Sequence, residues 1–355
     1  MLISNCCNLI TNKIDVSQLT TSNYISTENL LPNFGGITIA TNLPKGKVTK
    51  FEKENILMSN IRPYFKKFYY SSISGGCSSD VLVLNVNKSI AIPKYIYYLL
   101  CSDKFVNMYV ANCKGTKMPR GNKEVLLNYQ FELPSYEVQQ HIVDTIGSID
   151  DLIESIKCKI DKLNEILMNL FDKLPLVNGN KFYDIFTTMN GGTFSSKDYL
   201  EHSNEKLITI KNINSEGFDS SSPTYFKYNE KYEKYRLNIG DILLTMTGAY
   251  LGRSGIVDDE NCFLNQRVLK VSSVSNAFTY CFLQKNKDNI FNLGKGSAQQ
   301  NLGLKELACF DVNYSTETIK EFTNYDLFID NIVKYKITIR KLNNIKQIYL
   351  KKFFG

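Results

Sequence analysis

A run of apolar residues with heptad spacing constrains the fold of this chain more than any other feature. Its members, separated by alternating steps of four and three, are Ile142, Ile146, Ile149, Ile153, Ile156, Ile160, Leu163, Leu167, Leu170 and Leu174. This spacing is the seam of a coiled coil, and it predicts one long helix over 135–175. Ser135 is a suitable N-cap, and Pro175 cannot continue the helix. At 1.5 Å per residue the helix would be a rod of roughly 58 Å.

A second apolar run of the same period ends the chain, and Lys346 interrupts it. The two runs align at a constant offset, which places 160–166 over 339–345. Upstream, residues 56–59 align with 242–245, and Gly115 aligns with Gly296. The sequence therefore predicts an internal repeat, with domains at 1–134 and 176–316 and long helices at 135–175 and 317–355.

Each predicted domain is mixed α/β, because short apolar or alternating runs are separated by glycine-rich turns. Strands are expected near 56–59, 81–86, 207–210, 241–245 and 267–271, and one helix near 94–113. The two long helices are expected to pair as an antiparallel coiled coil with pseudo-two-fold symmetry. The block 136–174 carries a net charge of −4 and the block 318–355 carries +5, which favours this pairing. The predicted pairing residues are Ile153, Ile156, Ile160, Leu163, Ile332, Ile339 and Leu342.

Catalytic patterns are missing from the sequence. It has two histidines, no Cys-x-x-Cys pair, no phosphate-binding glycine loop and no dinucleotide fingerprint. We therefore expect a chain that is no enzyme and binds no metal or cofactor itself. The nine cysteines are scattered, as in proteins of a reducing compartment, and no apolar stretch reaches the roughly 18 residues of a membrane helix. These features predict a cytoplasmic protein without a membrane partner.

Basic and aromatic residues gather at matching points of the repeat. Residues 1–135 carry a net charge of +7, which favours a polyanionic partner. Arginine and lysine can contact phosphates or guanine, and glutamine suits adenine. An ordinary solvated surface is the alternative for any single lysine. The candidate binding residues are Arg62, Tyr64, Lys66, Lys67, Lys117 and Arg120 in the first domain, and Tyr250, Arg253, Lys295, Gln299 and Gln300 in the second.

The stretch 133–143, which contains Leu133-Pro134 and then Gln139, Gln140 and Ile142 before the heptads, resembles the helix entrance of the specificity subunit of type I restriction-modification systems. Residues 296–302 resemble the loop that precedes the last strand of that family's recognition domains. The second helix entrance, at 311–315, departs from the family pattern because it lacks the proline.

The resemblance implies two target recognition domains that bind double-stranded DNA at a bipartite site, with the paired helices setting the spacing. It also implies two copies of a methyltransferase subunit that carries S-adenosylmethionine, and a restriction/translocase subunit. The chain itself would be the non-catalytic recognition part of a DNA methylation and restriction complex. A helical-scaffold protein that binds proteins or glycans through its repeated globules is the alternative, as is a detached recognition half of a fused restriction-methyltransferase.

Overall fold

The computed structural model describes residues 1–115, 117–177, 179–215, 217–296 and 300–355. Within these ranges the chain forms two compact units. The first unit contains Met1–Leu152 and Leu342–Gly355, and the second contains Ile153–Lys341. Each unit thus holds one globule together with a part of both long helices.

The first unit contains eight strands among its described residues. They are β1 (Cys7–Leu9), β2 (Lys13–Asp15), β3 (Tyr24–Ile25), β4 (Lys47–Phe51), β5 (Ile56–Ser59), β6 (Phe68–Tyr70), β7 (Gly75–Cys77) and β8 (Val81–Val86). Its helices are α1 (Ile3–Cys6), α2 (Pro93–Cys101), α3 (Asp103–Ala111) and α4 (Lys123–Leu127), and α5 (Tyr136–Phe171) begins in it.

Two four-stranded sheets form the core of the first unit. One has the antiparallel order β1-β8-β5-β6, and the other has the mixed order β2-β4-β7-β3. Strand β8 is buried on both faces, because Leu82, Leu84 and Val86 pack with helices α2 and α3, whereas Val81 and Val83 pack with residues of the second sheet. This burial explains why the strand is an almost continuous apolar run.

The second unit repeats this plan. Its strands are β9 (Asn180–Lys181), β10 (Thr187–Asn190), β11 (Tyr199–Leu200), β12 (Lys206–Ile208), β13 (Ile213–Asn214), β14 (Gly217–Phe218), β15 (Thr224–Phe226), β16 (Ile242–Thr245), β17 (Ser254–Ile256), β18 (Cys262–Leu264), β19 (Val268–Ser272) and β20 (Asp311–Val312). Its helices are α6 (Phe182–Ile185), α7 (Asn276–Lys285), α8 (Lys287–Asn292), α9 (Leu304–Ala308), α10 (Thr316–Glu321) and the start of α11 (Asp326–Phe354).

The sheet β10-β19-β16-β17 of the second unit is antiparallel, like the sheet β1-β8-β5-β6 of the first. Ser59 pairs with Val81 across β5 and β8, and Thr245 pairs with Val268 across β16 and β19. The predicted mixed α/β repeat is therefore confirmed, with central strands that correspond residue by residue.

The long helices α5 and α11 lie side by side and antiparallel. In the first unit Asp150 contacts Lys346 at 2.6 Å, and the rings of His141 and Phe353 are 6.4 Å apart. In the second unit the Lys159 ammonium lies 6.0 Å from the centre of the Tyr335 ring. Between the two pairs of the first unit the residue number rises on α5 as it falls on α11, so the helices are antiparallel there.

The seam residues are buried to different degrees. Ile153, Ile156, Ile160 and Ile332 are buried, whereas Leu163, Ile339 and Leu342 are half-buried. Burying one aliphatic side chain stabilises the folded state by about 2 kcal/mol.

The single helix predicted over 94–113 is wrong, because the chain breaks into α2 and α3 at Ser102. Ser102 has an extended backbone, and its hydroxyl accepts a hydrogen bond from the Phe105 amide at 3.3 Å. A serine that caps a new helix competes with continuation of the old one.

No helix of the described ranges is both long and apolar enough to cross a lipid bilayer.

The cysteines differ strongly in accessibility. Burial raises the pKa of the thiols of Cys77, Cys101, Cys262 and Cys281 to about 12 each, whereas Cys158 and Cys309 are exposed.

Because the thiolate is the reactive form, we expect Cys158 and Cys309 to account for the fast phase of native thiol titration at pH 8. A Cys158→Ser/Cys309→Ser variant should lose that phase, and a fast phase that survives in this variant would contradict the burial pattern.

Candidate nucleic-acid interface

In the first unit, two segments distant in sequence are joined by backbone hydrogen bonds. One is 60–66, which follows β5, and the other is the loop 114–121. The Arg62 amide donates to the Pro119 carbonyl at 2.7 Å, and the Gly121 amide donates to the Asn60 carbonyl at 2.9 Å. We call these two segments the first loop pair.

The loop of the first pair is closed on itself. Lys114 and Arg120 exchange two backbone hydrogen bonds of 2.9 and 2.8 Å. Gly115 has a φ of +89°, in the left-handed region that glycine adopts without strain. These hydrogen bonds hold the two described ends of the loop together.

The second unit contains the same arrangement after β16. The Gly248 amide donates to the Gln300 carbonyl at 2.8 Å, and the Leu302 amide donates to the Met246 carbonyl at 2.9 Å. Lys295 and Asn301 exchange backbone hydrogen bonds of 3.0 and 2.9 Å, and Gly296 has a φ of +122°. We call the described residues of 246–253 and 295–302 the second loop pair.

The two loop pairs therefore share the same hydrogen bonds and a left-handed glycine. Arg62 corresponds to Gly248 in this arrangement, and Pro119 corresponds to Gln300. A repeat that preserves the hydrogen bonds of an irregular loop, and not only those of its strands, indicates that the loop geometry itself is used.

The first loop pair presents exposed cations and aromatic rings. Arg62 is exposed, and its guanidinium makes no ion pair within the described ranges; Tyr64 is 46% exposed. Lys117 is exposed as well. Arg120 pairs with Asp80 at 2.8 Å, and Lys66 pairs with Asp103 at 3.1 Å. These are half-exposed or exposed pairs of small energy, which a phosphate can replace.

Lys67 differs from the other candidates of the first unit. Its ammonium donates to the Thr27 carbonyl at 2.7 Å, and burial lowers its pKa. The contact joins the residue before β6 to an upstream turn, so Lys67 already has a structural partner.

The second loop pair has a different set of side chains. The Arg253 guanidinium lies 4.7 Å from the centre of the Tyr250 ring, and Lys295 pairs with Glu306 at 2.8 Å. This contact raises the pKa of Lys295. The side-chain oxygen of Gln300 is buried and has no hydrogen-bond partner among the described residues. Gln299 lies outside the described residues.

Arg267 was missed by the sequence analysis. Its carbonyl accepts from the Met246 amide at 3.0 Å, as the Asp80 carbonyl accepts from the Asn60 amide at 2.7 Å. Arg267 therefore stands where the first unit has Asp80, and Asn301 stands where it has Arg120. The Arg267 side chain is exposed and makes no ion pair in the part of the chain that the structure describes. Extending the repeat alignment to the residue before β8 and β19 would have found it.

A close contact fixes the end of the first loop. A Cβ atom at Gly121 would lie 2.0 Å from the Tyr109 hydroxyl oxygen, so the position requires glycine. The Tyr109 hydroxyl and the Asn60 side-chain oxygen are buried without hydrogen-bond partners among the described residues. Burial raises the pKa of Tyr109, so this phenol stays neutral.

The described side chains of the loop pairs include guanidinium, ammonium, amide and phenol groups. The described residues contain no group of three or more histidine, cysteine or carboxylate side chains placed to hold a metal ion. Guanidinium, ammonium, amide and phenol groups on a fixed backbone can contact phosphates and the edges of bases.

Comparison with known proteins agrees with this arrangement. The family described as "Type I restriction modification DNA specificity domain" matches residues 3–165 and 180–315. The type I restriction enzyme MjaVIII specificity subunit of Methanocaldococcus jannaschii is 25% identical over 225 residues, which are 55% of this chain and 51% of that protein. The chain thus spans about half the length of this curated relative.

A solved structure supports the fold. The S subunit of a type I restriction-modification system from M. genitalium superposes with a TM-score of 0.58 at 14% sequence identity, and the alignment covers 100% of this chain and 95% of that one. Specificity subunits of such systems are non-catalytic DNA-recognition proteins. Because the family match covers most of the described sequence and both repeats, the chain belongs to the type I restriction-modification DNA specificity domain family.

Proposed function

We propose that this chain is a specificity subunit that recognises a bipartite site on double-stranded DNA and directs partner methyltransferase and restriction subunits to it. The observation that carries the proposal is the duplicated loop pair, with the same hydrogen bonds and with exposed cations in both units. Each loop pair would contact one half of the site, the first through Arg62, Lys117 and Arg120. The second would act through Arg253 and Gln300, together with the neighbouring Arg267, whose carbonyl accepts a hydrogen bond from Met246 of that pair.

The repeat also supports two copies of one partner. Ile166 of α5 and Ile345 of α11 occupy equivalent positions of the repeat and are 45% and 42% exposed. Exposed aliphatic residues at matching points of two helices suit two identical protein surfaces. By family likeness these would be methyltransferase subunits, which would carry S-adenosylmethionine, and a restriction/translocase subunit would join them.

We propose domain boundaries at 1–134, 135–175, 176–316 and 317–355. The prediction that one long helix fills 317–355 is wrong, because α10 ends at Glu321 and α11 begins at Asp326. A scaffold that binds proteins or glycans is the second candidate, favoured by the net charge of −1 over 175–317. Phosphate contacts release counterions, so DNA binding should weaken steeply with salt. A complex with a protein or glycan need not show that slope.

The first test concerns catalysis. The purified chain should transfer no labelled methyl group to DNA, because specificity subunits are non-catalytic recognition proteins. Adding the methyltransferase subunit should give methylation at one sequence. The assay is radiolabel incorporation followed by mapping of the modified adenines, and incorporation by the chain alone would contradict the proposal.

The second test separates the two half-sites. Arg62→Ala should weaken binding at one half-site, and Arg267→Ala at the other, by about 1 to 3 kcal/mol if each arginine reads a base. Lys88→Ala and Lys285→Ala are matched controls, because these exposed lysines already pair with Glu54 and Asp172. Binding titrations on DNA with one scrambled half-site report each effect. Equal losses on all sequences would indicate phosphate contacts, and no loss would show that the assignment of the residue is wrong.

The third test concerns the spacing. A copy of 153–159 is inserted after Lys159, and a copy of 330–336 after Lys336, because Lys159 and Tyr335 are neighbours on the paired helices. The two paired helices then lengthen by about 10.5 Å. At about 3.4 Å per base pair, the DNA spacer between the half-sites could gain up to about three base pairs. Since three base pairs also turn the duplex by about a third of a turn, we expect a gain of one to three.

Mapping of methylated sites measures the spacer of the lengthened variant. Unchanged half-sites with a longer spacer are the expected result. A folded variant that keeps the original spacer would show that the helices do not set the distance.

A further inference from the structure

A partly buried ion pair interrupts the apolar seam between α5 and α11 in the first unit. The Lys346 ammonium lies 2.6 Å from one carboxylate oxygen of Asp150, and the Tyr98 hydroxyl donates to the other at 2.8 Å. The side chain of Lys346 is only 11% exposed, and that of Asp150 is 26% exposed. The Lys346 ammonium also lies 5.7 Å from the centre of the Tyr98 ring.

The repeat has no ion pair at the equivalent layer. The alignment that sets 160–166 over 339–345 also places Asp150 over Ile329 and Leu167 over Lys346. Ile329 and Leu167 are 1% and 0% exposed, so this layer is apolar in the second unit. Two aliphatic residues fill the same position, which means that the seam does not need an ion pair at this layer in order to pack.

The repeat creates a competing arrangement. Because the two helices have similar seams, α5 could pair with α5 of a second copy of the chain, and α11 with its counterpart. We assume that such same-helix pairs keep the register that sets Asp150 beside Lys346. Because Leu167 is the α5 residue equivalent to Lys346, Asp150 would then face Leu167 of the second copy. Lys346 would face Ile329.

These mismatched layers are unfavourable. Asp150 would keep only the hydrogen bond from Tyr98, and Lys346 would lose both of its polar neighbours. A buried charge without its partner strongly destabilises a protein, whereas a buried pair is often no more stabilising than apolar residues of the same size. The ion pair therefore discriminates between pairings more than it adds stability, as buried polar residues do in coiled coils.

We infer that the Asp150–Lys346 pair makes the helix seam selective for the two helices of one chain and rejects the same helix of a second copy. The inference rests on the seam alone and does not depend on DNA recognition. The chain needs such selectivity because α5 and α11 have similar seams. Each helix could therefore pair with the same helix of a second copy.

The test replaces the polar layer with the residues of the apolar layer. Asp150→Ile and Lys346→Leu copy the second unit, and Tyr98→Phe removes the hydroxyl that would lose its acceptor. Tagged and untagged full chains are unfolded together in urea with a reductant, refolded, and captured by the tag. We expect at least about a tenfold rise in co-captured untagged chain over wild type, which corresponds to about 1.4 kcal/mol in the pairing equilibrium.

Asp161→Ile/Lys341→Leu is the matched control, because it adds the same apolar groups at exposed positions of the helices. Circular dichroism and melting show whether each variant is folded. If the folded triple variant is co-captured no more than this control, or if wild type is co-captured as strongly as the triple variant, the inference is wrong.

A complementary measurement covers a triple variant that does not fold. Asp150→Lys and Lys346→Asp each place like charges in the seam of one chain. Refolded together, α5 of each copy finds the opposite charge only on α11 of the other copy. If the charges at 150 and 346 decide which helices pair, the mixture should give a dimer with exchanged helices that neither variant gives alone. A mixture with no more dimer than the separate variants would overturn the inference.

Discussion

The apolar seam between α5 and α11 is the interaction on which the rest of this structure depends. Each compact unit contains a segment of both helices, so neither globule has a complete core without the seam. In the first unit, Ile142 and Ile146 of α5 and Leu350 and Phe354 of α11 join the same buried cluster as the central sheet. With about 2 kcal/mol for each aliphatic side chain that leaves water, the seam is a large part of the stability of both units.

The duplicated loop pairs show what the repeat preserves and what it varies. The backbone hydrogen bonds are kept, including those of residues in irregular conformations, whereas the side chains are exchanged. Arg120 with Asp80 in the first unit corresponds to Asn301 with Arg267 in the second. The two loop pairs thus share one backbone geometry but carry different side chains. Such surfaces are suited to contact different DNA sequences in the same way.

Much of this could be predicted from the sequence, because periodicity reports burial directly. The heptads defined both long helices, and the strands at Ile56–Ser59 and Val81–Val86 lie where their apolar runs indicate. The break at Ser102 was not predicted, because serine also occurs within helices, and only the hydrogen bond to Phe105 shows that it caps one. Lys346 was visible as a break in the seam, but its partner Asp150 is distant in the sequence and is set by the helix register. The repeat alignment could have been extended to Arg267, but its place beside Met246 is seen only once β16 and β19 pair.

If the loop pairs form the DNA interface, both contact one DNA molecule at the same time. Hydrogen exchange can be measured by mass spectrometry on the chain with its methyltransferase partner, with and without DNA that carries the mapped site. We expect slower exchange in both loop pairs when DNA is added. When the half-site of the second loop pair is scrambled, only that loop pair should lose its protection. Protection confined to the long helices, or to a single loop pair on the intact site, would contradict it.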